Sequence, residues 1–161
     1  MNFPNPKYGN TVLDSCVLGT PGAEHDAATK ILELAGEGAV SVITTHGVID
    51  EISHPSTPQH IKDIAASLIF TIPVGRNSEE QLKFQEIHAE MTGNGKPENY
   101  AADADHIFEA GKYGRCFVTN DERILKKRES LTLLSGALIV RPSEWLREYE
   151  KNLGETIKKY N

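Results

Sequence analysis

Ala101-Ala102-Asp103-Ala104-Asp105-His106-Ile107-Phe108-Glu109-Ala110, followed across Lys112-Tyr113-Gly114-Arg115 by Cys116-Phe117-Val118-Thr119-Asn120-Asp121, reads as a helix feeding a short strand that ends on an acid. Ala104, Ile107 and Phe108 recur at helical spacing and form a buried stripe, while Cys116-Phe117-Val118 is a short apolar run fit for a buried strand. Gly114 suits the C-terminal side of the helix. A helix that feeds a strand is half of an α/β unit. In open α/β sheets ligands sit beyond the carboxyl ends of the strands, where Asp121 falls, with Asp103 on the adjoining helix.

Working outward, residues 11–18 form an apolar run interrupted by Asp14 and closed by Gly19-Thr20-Pro21-Gly22, the pattern of a strand covered on both faces. Residues 25–35 carry Ala27, Ala28, Ile31, Leu32 and Ala35 at helical spacing until Gly36-Glu37-Gly38 stops them. Residues 39–44 are short and β-branched. Strand, helix and strand with such tight connections imply a right-handed βαβ unit and a parallel sheet. Thr45 is placed to cap a helix over residues 46–54, ended by Pro55. At about 100° per residue, Val48 and Ile52 face the core, Asp50 points nearly opposite, and Glu51 lies at the edge of the buried face, looking into the crevice.

The remainder is coarser. Residues 61–68 read as a helix, 70–74 as a strand or buried coil, and 79–91 as a helix with Leu82, Phe84, Ile87 and Met91. Residues 92–97 are a loop. After Asp121 come a charged helix over residues 122–128 and a final strand over residues 137–140. Pro142-Ser143 then opens a terminal helix whose stripe, Trp145, Leu146, Tyr149, Leu153 and Ile157, reads as core packing, with Gly154 weakening it.

The 161 residues suffice for one core, so residues 1–161 are expected to form a single domain, with an N-terminal arm over residues 1–10 and a C-terminal helix over residues 142–161. A net charge of −6 at pH 7 argues against a surface that grips nucleic acid all over, but leaves room for carboxylates gathered in one pocket. Cys16 and Cys116 both lie in apolar runs, where cysteine acts as a small hydrophobe. No opening signal-peptide pattern and no run near the roughly 18 apolar residues of a membrane span are present, so a soluble, cytoplasmic protein with no membrane contact is expected. The six histidines make no His-Glu-x-x-His pattern, and Cys-x-x-Cys is absent, which disfavours zinc. Neither glycine-rich nucleotide cradle is found.

Four acids stand out by position: Asp14 inside an apolar run, Glu51 and Asp103 on flanks of buried helix faces, and Asp121 at a strand end. Any one has a bland explanation, and Asp121 in particular could cap the following helix. Together on one small sheet they would repel or protonate unless a cation joined them, and an oxygen-only ligand set suits Mg²⁺ or Mn²⁺. Helical geometry alone leaves Asp103 and Asp105 open, because they lie on opposite flanks of the stripe made by Ala104, Ile107 and Phe108.

On these residues the chain resembles the PIN-domain nucleases. That family carries an Asp in a first-strand motif like Leu13-Asp14-Ser15-Cys16-Val17-Leu18, a Glu in the second helix, and an Asp-x-x-Ile helix leading through a glycine to a strand ending Thr-x-Asp. Asp103, Ile107, Ala110, Gly114 and Thr119-Asn120-Asp121 follow the last pattern. The resemblance spans Thr11 to about Trp145. It departs at the arm, at Cys16, where the family often has a polar residue, and over residues 54–99.

The resemblance implies a three-layer α/β/α sandwich around a central parallel sheet of about five strands. It implies Mg²⁺- or Mn²⁺-dependent endoribonuclease activity with Asp14, Glu51, Asp103 and Asp121 as catalytic metal ligands, and frequent use as a toxin of the VapC-like type paired with an antitoxin protein. Its register selects Asp103 as ligand and leaves Asp105 accessory. Thr119 and Ser15 have hydroxyls able to orient a ligand or a water. Lys112, Arg115, Arg123 and Lys126, with Lys127 and Arg128, are candidates for the RNA backbone, against the alternative of a solvated charged helix. The terminal stripe could alternatively serve a homodimer or an antitoxin. The alternatives for function are a non-catalytic module binding RNA or a protein partner, or a DNA-directed nuclease.

Overall fold

In the strands, alternate apolar residues point to opposite faces, and each face is covered by helices. The computed structural model describes residues 3–19 and 21–160, with side chains described at 3–19, 21–22 and 24–154. Met1, Asn2, Thr20 and the side chain of Ile157, the last residue of the expected C-terminal stripe, lie outside the described residues.

The chain runs β1 (Asn10–Leu13), α1 (Ser15–Leu18), α2 (Ala23–Gly36), β2 (Ser41–Thr44), α3 (Gly47–Ser53), α4 (Gln59–Ala66), β3 (Ile69–Phe70), α5 (Ser78–Thr92), a 3₁₀ turn (Pro97–Asn99), α6 (Ala101–Tyr113), β4 (Cys116–Val118), α7 (Glu122–Leu125), α8 (Arg128–Ser135), β5 (Leu138–Val140) and α9 (Pro142–Tyr160). The strands form one parallel sheet in the order β3-β2-β1-β4-β5. Val12 stands opposite Ile43 on one side and Phe117 on the other.

Leu13, Val42, Cys116, Val118 and Val140 share one core with α2, α3, α4 and α9, through Ile31, Val48, Ile61 and Trp145. Val12, Ile43, Phe117 and Ile139 share the other with α5, α6, α7 and α8, through Ile87, Ile107, Ile124 and Leu131. This is a three-layer α/β/α sandwich, and strands buried on both faces account for their near-continuous apolar runs. Trp145 is fully buried, stacks on Tyr149 at 5.5 Å between ring centroids, and donates from Nε1 to Thr11 Oγ1 at 2.9 Å, fixing the terminal helix to β1.

The order of the strands decides where chemistry can occur. From β1 the chain adds β2 and then β3 on one side, and β4 and β5 are on the other, so the crossovers part between β1 and β4. The carboxyl ends of those two strands form the crevice in which such sheets bind ligands.

Several expectations need correction. The apolar run 11–18 is not one strand: β1 ends at Leu13, Asp14 stays extended, and Ser15–Leu18 make a helical turn. Val17 and Leu18 then enter the same core as Leu13, which consecutive strand residues pointing to opposite faces would not do. Thr45 is not a side-chain cap; its Oγ1 is buried without a hydrogen bond, and His46 occupies the N-cap position. Leu82 is exposed while Ile87 and Met91 are buried. The charged stretch after Asp121 is two helices, because Ile124, Leu125 and Leu131 all turn inward and Lys127 folds across to the carbonyls of Glu90 and Met91. Gly114 does follow α6, but its backbone is extended. Its need is closeness: a Cβ there would stand 2.7 Å from Val12 Cγ2 and 3.0 Å from Asn10 O.

Candidate active site at the strand carboxyl ends

Asp14 follows β1 directly and is buried, with its backbone N–H donating to Val118 O on β4 at 3.0 Å. A buried carboxylate needs donors. Asp14 Oδ2 accepts from Thr119 Oγ1 at 2.6 Å and from Cys16 Sγ at 3.2 Å. Thr119, wholly buried after β4, is also an acceptor for the backbone N–H of Asp121 at 3.0 Å. One hydroxyl therefore ties the ends of β1 and β4 across the switch point.

Asp121 is the N-cap of α7, accepting from the Arg123 backbone N–H at 2.7 Å, so its capping role and its place beside the other acids coexist. Its carboxylate also takes the Arg123 side chain, from Nε to both oxygens at 3.1 Å and from Nη2 to Oδ2 at 2.5 Å. Arg123 Nη2 lies 3.1 Å from Asp103 Oδ2 as well. Asp103 Oδ2 is buried and completes no hydrogen bond, so charge alone holds this contact. Asp103 is in the first turn of α6, where the helix dipole favours an acid.

His106, one turn further on the same face of α6, is buried between the remaining acids. Its Nδ1 stands 3.9 Å from Asp14 Oδ1 and its Nε2 3.9 Å from Glu51 Oε1. Glu51, at 43% side-chain exposure, is the most open of the four. Asp14, Glu51, Asp103 and Asp121 thus form one chain of contacts through Thr119, His106 and Arg123.

The electrostatics separate two of these acids. Burial pushes the carboxyl pKa of Asp103 up, and the Asp121 and Asp14 carboxylates push it further, against the opposing charge of Arg123. Burial acts the same way on Asp121, but the Arg123 side-chain and backbone hydrogen bonds outweigh it and hold that carboxyl below the ordinary range. Cys16, desolvated beside the Asp14 charge, has its thiol pushed up to about 12 and stays protonated as a donor. Cys16 is therefore part of the site and not the core hydrophobe expected, whereas Cys116 is buried in the sheet.

The other sequence candidates lie elsewhere. Asp105 pairs with Arg76 on the opposite flank of α6. There it lines a cleft of about 420 Å³ with His46 and Glu109, where buried Glu109 accepts from Thr71 and stands 2.9 Å from His46 Nδ1. Ser15 is half-buried at the start of α1 and takes no part in the contacts above. Lys112 pairs with Glu80 and Arg128 with Glu144. Arg115 precedes β4, at the amino end of the strand and away from the acids, and Lys126 is exposed at the end of α7. Of the basic candidates, Arg123 meets the acids. His106 was missed from sequence, although its i+3 spacing from Asp103 was the available signal.

Four carboxylates suit a hard divalent cation, and the buried Asp103 Oδ2 without a hydrogen bond is the kind of oxygen one would take. The donor set fits in kind but not in its present arrangement. Among the described residues no three His, Cys, Asp or Glu side chains are disposed to hold a metal ion. Arg123 and His106 stand between the acids. No family model matches the chain, and no curated protein matches it. Among the described residues no helix is long and apolar enough to cross a membrane.

Proposed function

We propose that the chain is a Mg²⁺- or Mn²⁺-dependent endoribonuclease of PIN type, acting on cytoplasmic RNA as the toxin of a toxin–antitoxin pair. The observation that carries this reading is the joining of Asp14, Glu51, Asp103 and Asp121 into one network at the carboxyl ends of β1 and β4. These four side chains would hold the cation, directly or through water. A hard divalent cation held there would acidify a water for attack on the phosphodiester and offset charge developing on the leaving oxygen.

The chain's own residues supply the rest. Thr119 fixes Asp14 and the backbone of Asp121 in a common frame. Glu51, the most exposed of the four, is the acid most accessible to solvent and substrate. The test is incubation of a defined single-stranded RNA with the protein and Mg²⁺ or Mn²⁺, with EDTA and Asp14→Asn as controls and DNA of the same sequence alongside. Cleavage of RNA that EDTA and the substitution both abolish supports the reading. No cleavage under any condition refutes it, and cleavage of DNA alone assigns the site to a different substrate. Growth arrest on induced expression, relieved by Asp14→Asn, tests the toxin role.

One observation favours the second reading, a non-catalytic module that binds RNA or a protein partner. Arg123 pairs with both Asp103 and Asp121 and so offsets part of their charge from within the chain. That reading predicts RNA retention unaffected by EDTA and no hydrolysis.

A further inference from the structure

The guanidinium of Arg123 holds the two carboxylates that the proposed reading assigns to an ion. Asp121 accepts from the guanidinium at Nε and Nη2 and, separately, from the Arg123 backbone N–H, while Asp103 Oδ2 faces Nη2 at 3.1 Å. Neither acid can fully engage a divalent cation while this contact stands, because the same oxygens would serve two cations. The Arg123 side chain is nevertheless 55% exposed, which leaves the guanidinium open space on its solvent side, while the Tyr100 ring lies 5.8 Å from Cζ. Its partners hold its pKa above the ordinary arginine value, so it remains a cation throughout.

The geometry points to an exchange. We propose that Arg123 is a resident counter-cation that leaves the Asp103–Asp121 pair when a divalent cation binds and then contacts a non-bridging oxygen of the RNA phosphodiester. This rests on the nuclease reading above and assigns Arg123 a catalytic role within it. The planar fork that grips a carboxylate with two N–H groups matches phosphate oxygens equally well, so the same side chain serves both positions. Its backbone is anchored two residues from Asp121, so release moves the guanidinium without removing it from the site. Lys112, Lys127 and Arg128 are committed to Glu80, to carbonyls of α5 and to Glu144. Metal and phosphate binding should therefore reinforce each other through Arg123, each freeing what the other needs.

The experiment is calorimetric titration of the metal-free protein with Mn²⁺, for wild type, Arg123→Ala and Arg123→Lys, followed by hydrolysis of single-stranded RNA at saturating Mn²⁺. Removing the competing cation should tighten Mn²⁺ binding by about 2–5-fold in Arg123→Ala, the factor equivalent to one partly exposed ion pair. Arg123→Lys, which keeps the charge without the fork, should fall between. At that saturation, where the metal site is equally full in each protein, hydrolysis should decrease at least tenfold in Arg123→Ala. Unchanged or weaker Mn²⁺ binding in both variants overturns the exchange. Tighter binding with undiminished hydrolysis overturns the phosphate contact. Absence of Mn²⁺ binding in all three proteins overturns the nuclease reading on which the proposal rests. If Arg123→Ala does not fold, Arg123→Lys carries the same tests with smaller changes.

Discussion

Thr119→Val removes one hydroxyl and keeps the shape of a wholly buried side chain, so its consequences follow from two hydrogen bonds. The first is the 2.6 Å bond to Asp14 Oδ2. Donation to an ionised group contributes about 1.5–3 kcal/mol, and Cys16 remains as a second donor to the same oxygen. The second is the 3.0 Å bond from the Asp121 backbone N–H, whose loss leaves a partly buried donor without a partner at about 1–3 kcal/mol. The two share one atom, so they do not simply add, and a total of about 2–4 kcal/mol is expected. Urea unfolding of the metal-free protein, followed by circular dichroism, should show the unfolding free energy lower by that amount, as a lower midpoint at unchanged slope. Thr119→Ser should recover most of it. Hydrolysis of RNA by Thr119→Val should drop about 10–100-fold, as for partners that orient ligands. A Thr119→Val unfolding free energy within about 0.5 kcal/mol of wild type would refute the claim that this hydroxyl ties β1 to β4.

Other outcomes follow from the same geometry. Asp103→Asn should abolish detectable hydrolysis with the fold intact, whereas Asp105→Asn, which touches Arg76 on the far flank of α6, should retain it; the reverse pattern in an RNA cleavage assay would show that the wrong helix face was assigned. Without metal, Asp103→Asn should stabilise the fold at pH 7. Its folded pKa is raised, so its contribution to stability is present below the unfolded value of about 3.9 and lost as pH rises through the folded value. Asp121→Asn should do the opposite, since its folded pKa is depressed and its contribution is present above about 3.9 and lost as pH falls through the folded value. Thermal melts from pH 3 to 8 distinguish the two, and equal signs would contradict the account of Arg123. Gly114→Ala should cost about 1–3 kcal/mol in urea unfolding through the clash with Val12 and Asn10, and a neutral effect would deny that close approach.

What was legible in the sequence was what local pattern encodes. The stripe Ala104, Ile107, Phe108 and the run Cys116-Phe117-Val118 named a helix and a doubly covered strand, and parallel order followed from strands that alternate with helices. Asp14, Glu51 and Asp121 stood out because carboxylates beside apolar patterns are costly, Asp103 was chosen over Asp105 by the register of the family resemblance, and all four lie in the same network. What stayed hidden depends on contacts distant in the chain. Nothing near Arg123 says that it reaches Asp103, twenty positions back, and nothing near Cys16 says that it meets Thr119 and the Asn120 backbone instead of packing in the core. The break of the run after Leu13 was equally invisible, since Val17 and Leu18 are apolar whether they extend a strand or turn into a helix. His46, Thr71 and Glu109 come together only because α6 passes beside the segment after β3.

The central claim is that these four acids support hydrolysis by water at a divalent cation, and end-group analysis of cleaved RNA tests it most directly. With Mn²⁺ and wild-type protein, the account predicts fragments carrying a phosphate at one end and a hydroxyl at the other, with no 2′,3′-cyclic phosphate and no product from Asp14→Asn or in EDTA. Cyclic phosphate ends, cleavage that survives EDTA, or an Asp14→Asn protein as active as wild type would contradict it.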